Sequence, residues 1–336
     1  MGACSGGHVE VVRLLLRTED ATIQNCLGFT SLMAASSRGH TEIVRLVLGK
    51  SDVNAVDVVG WTSLMYACKN NHVEVVRLLL TEADATIQNQ LGCTALMIAS
   101  SGNTEISRLL LAKSDVNARD IVGCTPLMYF SSHGRPEISR LSPESIDNLN
   151  LTVVSTDHNQ EIVRFLLDTV EVNAQDRNGW TALMYASRFG ILEIVRLLLR
   201  RADADKQNMC GITALMCCSA NGHSESVKLL MDVADFDLRD EHGWTAFMYA
   251  SYEGKLDIVK LLLSVVDVNV LDYNSCTALT LAIMNDTFDI VEVITTRAFI
   301  TELELLACYD YGSLEISTRL HELFSIGNDS FRRNHF

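Results

Sequence analysis

Histidines recur at matching places in the chain, His8, His40, His72 and His223, and glutamates recur in a second column, Glu10, Glu42, Glu74, Glu161 and Glu193. Imidazole and carboxylate are the ordinary material of general acid–base catalysis. Ten cysteines, at 4, 26, 68, 93, 124, 210, 217, 218, 276 and 308, add the material of a disulfide framework or a zinc site. None of them forms a CxxC, and the one close pair, Cys217-Cys218, is adjacent and poorly disposed for a tetrahedral ion. Cys210 with Cys217 and Cys218 is the single grouping that a thiol or metal site could use. The chain has no GxGxxG, phosphate loop, HExxH or GxSxG. The sequons at Asn150, Asn285 and Asn328 read as chance. Residues repeated at a fixed spacing are dictated by architecture before chemistry. The histidines therefore read as a structural slot between helices and the glutamates as a solvated face. The sequence gives no reason to expect a catalytic residue, a metal or a cofactor.

The composition narrows the function classes further. The chain has 336 residues, of which 48% are hydrophobic and 21% charged, a foldable balance. With 27 basic and 42 acidic side chains the formal charge is −15, which repels a phosphate backbone and argues against nucleic-acid binding. Three prolines leave room for much uninterrupted helix. No apolar run is long enough for a membrane span. The N-terminus lacks a signal-peptide pattern, so reduced thiols and a cytoplasmic location are expected.

The elements that must hold these columns come from an internal repeat. GFTSLM, GWTSLM, GCTALM, GCTPLM, GWTALM, GITALM, GWTAFM and SCTALT place Thr30, Thr62, Thr94, Thr125, Thr181, Thr213, Thr245 and Thr277, mostly 32 apart. The step to Thr125 is 31, and the step of 56 from Thr125 to Thr181 accommodates a shortened unit with Leu149 in the threonine slot. A last degenerate unit puts Leu303 there. Residues 3–16, ACSGGHVEVVRLLL, match residues 67–80, ACKNNHVEVVRLLL, at all but three positions. The chain thus opens on the back part of a repeat. That account of Gly2 and Cys4 is preferred to lipidation, and it suggests a fragment or a start lying upstream.

Each unit reads as two helices and a finger. Asp57-Val58-Val59-Gly60 is an Asp-x-x-Gly turn, and the slot of Asp57 holds Asp or Asn in all eight clear units (Asn25, Asp57, Asn89, Asp120, Asp176, Asn208, Asp240, Asp272), whose side chains can bond the backbone of the turn. The threonine caps a short helix. A second helix follows with an exposed Glu–Arg pair, such as Glu74 and Arg77, and an apolar face. No unit of 32 residues buries that face alone, so units must stack.

The pattern GxTALMxAxxxGHxEIVRLLL followed by DVNAxDxxG resembles the ankyrin repeat over nearly the whole chain, and its GWTALM wording resembles the large ankyrin arrays of diplomonad protists. The resemblance implies an all-α solenoid of stacked helix-turn-helix units with β-hairpin fingers. One departure is that Met33, Met65, Met97, Met128, Met184, Met216 and Met248 stand where ankyrin repeats usually carry histidine, replacing its hydrogen bond with softer packing. The expected organisation is an N-terminal array over 1–141 and a degenerate fingerless repeat with a possible kink over 142–167. A C-terminal array over 168–324 and a polar tail over 325–336 complete it. Ser142-Pro143 and Thr301–Glu304 would start the two degenerate units.

The resemblance further implies a non-catalytic scaffold or adaptor that binds protein partners on the concave surface lined by fingers and first helices. The columns just before the threonine and four after it hold Phe29, Trp61, Tyr66, Tyr129, Trp180, Tyr185, Trp244 and Tyr249. These aromatics are the expected partner contacts, while each Trp could equally stack on its own Tyr. The N-terminal finger tips are apolar (Cys26-Leu27, Val58-Val59, Ile121-Val122) and the C-terminal tips polar (Arg177-Asn178, Glu241-His242), so the former are a second expected contact site unless neighbouring fingers cover one another. Self-association through Val11, Val12, Leu14 and Leu15 of the uncapped first repeat is a further expectation. The alternative is a targeting arm for an upstream, kinase-like catalytic domain absent from this chain.

Overall fold

The computed structural model describes residues 1–17, 22–132, 156–298, 307 and 316–321. The expected helix starts at Ser142-Pro143 and Thr301–Glu304, the 142–155 part of the degenerate repeat with its possible kink, Leu149 and Leu303, the sequons at Asn150 and Asn328, Cys308 and the tail lie outside the described residues. Two compact units are distinguished, Met1–Tyr185 and Ala186–Phe336.

In the first unit, the first and second helices of successive repeats alternate along the chain. They are α1 (Gly2–Ser5), α2 (Val9–Leu15), α3 (Ser31–Arg38), α4 (Thr41–Leu48), α5 (Ser63–Lys69), α6 (Val73–Leu79), α7 (Ala95–Ala99), α8 (Thr104–Leu111), α9 (Pro126–Ser131) and α10 (Thr156–Leu167). The first helices α1, α3, α5, α7 and α9 pack each on the next, as do α2, α4, α6 and α8, and α10 packs on both α8 and α9. Helix α11 (Ala182–Arg188) carries the boundary. The second unit repeats the scheme with α12 (Leu192–Leu198), α13 (Ala214–Asn221), α14 (Ser224–Met231), α15 (Ala246–Tyr252), α16 (Leu256–Leu262), α17 (Ala278–Met284) and α18 (Phe288–Ile294). There α13, α15 and α17 form one row and α12, α14, α16 and α18 the other. Helices of five to eight residues are marginal by themselves, so packing holds them. The Leu-Met pairs of the first helices (Leu32-Met33, Leu64-Met65, Leu96-Met97, Leu127-Met128) and the apolar face of the second (Val75, Val76 and Leu79 in α6) are almost fully buried.

The caps follow the sequence reading. Each repeat threonine accepts a hydrogen bond from the backbone N–H three residues on, 3.2 Å for Thr62 from Met65 and 3.1 Å for Thr277 from Thr280. A cap of this kind contributes about 1 kcal/mol. The methionine column does more than pack: the N–H groups of Thr30, Thr125 and Thr213 donate to Sδ of Met33, Met128 and Met216, each at 3.4 Å. The side chain three residues after the cap therefore still satisfies the cap backbone, through sulfur.

The histidine slot is structural, as the repeat requires. His40, His72 and His223 each reach back through Nε2 to a carbonyl of the preceding repeat, on Ser5, Ser37 and Arg188, at 3.0 to 3.1 Å. On the outer face Arg77 pairs with Glu74 of its own helix and Glu105 of the next unit, and Arg108 pairs with Glu161. These exposed pairs contribute little individually.

The fingers differ from the expected β-hairpins, since the described residues contain no strand. Each finger is a tight turn. In the second, Asp57 N–H donates to the Trp61 carbonyl (3.1 Å), and Asp57 Oδ1 accepts from the N–H groups of Val59 (2.9 Å) and Trp61 (2.8 Å). Neighbouring fingers share one backbone bond per junction: Val58 N–H to Leu27 O, Gln90 to Val59, Ile121 to Leu91 and Arg177 to Val122 in the first unit. Glu241 to Cys210 and Tyr273 to His242 continue the scheme in the second. One bond at a junction makes a stack of turns, too few for a ladder.

Candidate protein-binding face

The aromatic columns stand on a shared support. The carboxylate that opens a finger uses Oδ1 for its own turn and leaves Oδ2 for a phenol nine residues on. Tyr66 donates to Asp57 at 2.6 Å, Tyr129 to Asp120 at 3.0 Å, Tyr185 to Asp176 at 2.7 Å and Tyr249 to Asp240 at 2.7 Å. All four carboxylates are buried. Burial above all holds the phenols protonated well above their ordinary range, followed by the adjacent carboxylate at Tyr66 and Tyr249 and by a neighbouring cysteine, then the carboxylate, at Tyr129 and Tyr185. Each tyrosine is thus a brace between its helix and its finger.

The residue before the threonine packs against this brace from the same or the preceding repeat. Tyr66 lies between Trp61 (ring centroids 5.2 Å apart) and Phe29, which meets it edge-on at 5.3 Å. Lys69 Nζ sits 5.5 Å over the Trp61 ring. Cys93 Sγ lies 3.2 Å from Tyr129 Oη, and Cys124 Sγ 3.7 Å from Tyr185 Oη. Trp180 stacks on Tyr185 at 5.3 Å. In the second unit Trp244 touches both Tyr249 and Tyr252 at 5.2 Å. Its Nε1–H donates to Asp272 Oδ2 at 2.9 Å.

Exposure divides the eight aromatics. Phe29, Trp61, Tyr66, Trp244 and Tyr249 are half-buried, rigidly held and open on one side, the form of a docking contact. Tyr129, Trp180 and Tyr185 are buried, Tyr185 completely. A contact role for these three is at odds with that burial: their rings and hydroxyls are spent inside the repeat. Each Trp does stack on its own Tyr, and for Trp61 and Trp244 this leaves the rings partly open.

The finger tips of the first unit are not covered by their neighbours. Leu27, Val58, Val59, Leu91 and Ile121 stand between 47 and 58% exposed on consecutive fingers joined by the backbone bonds described above. Beside them the carboxylates of Asp57 and Asp120 are turned inward, and the row is mainly apolar, interrupted by the exposed Gln90, whose amide donates to the Val58 carbonyl at 2.7 Å. The cysteine grouping has a different setting. Cys217 and Cys218 are buried in α13, and burial pushes the Cys217 thiol up to about 12, whereas Cys210 lies exposed on a finger.

No helix among the described residues is long and apolar enough to cross a membrane. A search of the curated proteins found no significant match. A family model described as "Ankyrin repeats (3 copies)" matches in overlapping registers over residues 1–89, 78–141, 147–210, 200–272 and 215–302. Ankyrin repeats are in general protein–protein interaction modules, typically non-catalytic. The capped helix pairs, the turns stacked through single bonds and these matches agree, and the chain belongs to the ankyrin-repeat family.

Proposed function

We propose that this chain is a non-catalytic scaffold or adaptor of the cytoplasm, which binds protein partners on the concave face formed by its fingers and first helices. The observation that carries this reading is the set of half-buried aromatics, Phe29, Trp61, Tyr66, Trp244 and Tyr249, each fixed in place yet open on one side. Rigid aromatic contacts lose little entropy on binding and concentrate affinity. Within the first unit, the exposed apolar tips from Leu27 to Ile121 provide the patch size that scattered aromatics lack.

The test is affinity purification with cross-linking, mapped onto residues, from cells expressing the chain. Trp61→Ala and Trp244→Ala should each weaken capture of cross-linked partners while circular dichroism reports unchanged helicity. Partners retained in full by the double variant, or cross-links confined to the outer Glu–Arg face, would sink the proposal.

A further inference from the structure

The aromatic cluster around Trp244 has the form of a receptor for a cationic side chain. Trp244, Tyr249 and Tyr252 have touching rings, and the Tyr273 ring lies against Gly243, where an added Cβ would meet it at 3.0 Å. The polar ends of the inner rings are already used: the Tyr249 hydroxyl donates to Asp240 and the Trp244 N–H to Asp272. What the cluster still offers is π faces, the negative side of the aromatic quadrupole, above two buried carboxylates. Trp244, Tyr249 and Tyr252 are half-buried and Tyr273 is 68% exposed, so part of the cluster is open to a partner.

The chain itself shows what such a face takes. In the first unit Lys69 places its ammonium 5.5 Å over Trp61, from the helix position eight residues after the tryptophan. Eight residues after Trp244 the same position carries Tyr252. The cluster has a third ring where Trp61 has a cation. Close in sequence to these rings, Glu241 and Glu253 are exposed carboxylates, Glu241 with a hydrogen bond to Cys210 of the preceding finger. Of the nearby cations, Arg239 donates to the Leu271 carbonyl and Lys255 lies beside Gly222. The protein as a whole carries −15.

The geometry points to a basic partner segment, which inserts a lysine or arginine against Trp244, Tyr249 and Tyr252 with Glu241 and Glu253 flanking it. This inference rests on the reading of the aromatic face as a docking surface and names the chemistry of its occupant.

The probe is a fluorescein-labelled nine-residue peptide alternating glycine with lysine and arginine, titrated into the full chain. Two control peptides replace the basic residues with glutamine or glutamate. The basic peptide should bind and the controls should not. Trp244→Leu and Tyr252→Leu should each cut its affinity, by roughly five- to thirty-fold for loss of a cation–π contact that is partly desolvated. Tyr252 is the safer variant, because its ring makes no hydrogen bond on which the fold depends among the bonds described above. Equal binding to the wild type and both variants would mean diffuse attraction to an acidic protein and would overturn the inference, as would no binding at all. The two readings separate cleanly. If Trp244→Ala loses the cross-linked partner while the basic peptide fails to bind, the docking face stands and its cationic occupant falls. If the peptide binds through Trp244 while the partner is retained, the cation site stands and the general docking face falls.

Discussion

At the scale of single residues, the identity of the finger's first side chain decides what the helix must supply. Where that residue is Asp57, Asp120, Asp176 or Asp240, a tyrosine stands nine residues on and donates to its second oxygen. Where it is Asn25, Asn89 or Asn208, the same place holds Ala34, Ile98 or Cys217. Asp272 has Leu281 in that place and draws its donor from Trp244 of the preceding repeat. A buried carboxylate needs a second donor; an amide, which carries its own N–H groups, does not. Tyr249→Phe should therefore cost about 1–3 kcal/mol, the penalty for stranding a buried charged acceptor. Asp240→Asn added to Tyr249→Phe should recover most of it. Urea unfolding of the four members of this cycle measures both effects, and a double variant no more stable than Tyr249→Phe alone would refute the pairing. The coupling is legible in the sequence as covariation between two columns of the repeat. Read one column at a time, Tyr129 and Tyr185 look like surface contacts, because spacing places a side chain on a face and does not say whether its hydroxyl is already committed.

At the scale of elements, the positions of the helices are legible and the nature of the fingers is not. Threonine spacing locates the first helices from α3 onward among the described residues, since cap and apolar face carry the same register, while α1 is placed by the match of residues 3–16 to 67–80. The family resemblance implied hairpins, but Asp57, Val58, Val59 and Gly60 hold too few residues to pair as strands, and this finger spends its backbone bonds on its own turn and on one bond to each adjoining finger. Gly60 shows how tightly those turns stack. Its φ is +79°, and an added Cβ would stand 2.8 Å from the backbone nitrogen of Gln90. Gly254, at the end of α15, has φ +71° but meets only the Thr287 methyl at 3.5 Å. Gly254→Ala should cost about 1–2 kcal/mol, the left-handed penalty alone, and Gly60→Ala clearly more, because the next finger must move. Thermal unfolding of the two variants ranks them, and equal costs would argue against close stacking. The histidine brace gives a pH test of the helix pairs. Burial, with a smaller contribution from Lys255, lowers the His223 pKa below its usual 6.5, so the folded state binds the proton less readily than the unfolded one. Its contribution is complete above pH 6.5 and is lost as pH falls below that value. His223→Gln should flatten the stability profile below pH 6.5. An unchanged slope in that window would remove His223 from the account.

At the scale of the whole molecule, stability is distributed along the chain and is not gathered in one centre. Within each unit a first helix packs on the first helices before and after it, and a second helix likewise, so the consequences of a lost contact pass from neighbour to neighbour. Met65 is almost fully buried in α5, between α3 and α7. Met65→Ala removes most of that side chain at a cost of about 2–5 kcal/mol. In a single closed core that loss would lower the protection of every slowly exchanging amide. In a linear stack it opens the local repeats first. Hydrogen exchange of Met65→Ala should therefore accelerate across α3, α5 and α7 and their partner helices α4, α6 and α8. Residues 246–294, which form α15 to α18 in the other unit, should keep the exchange rates of the wild type. Faster exchange spread evenly over both segments would mean that the repeats unfold as one body, and the nearest-neighbour account of this fold would have to be abandoned. The same locality bears on binding: substitutions at Trp61 and Trp244 alter separate parts of the stack, so their effects on a partner that touches both should add.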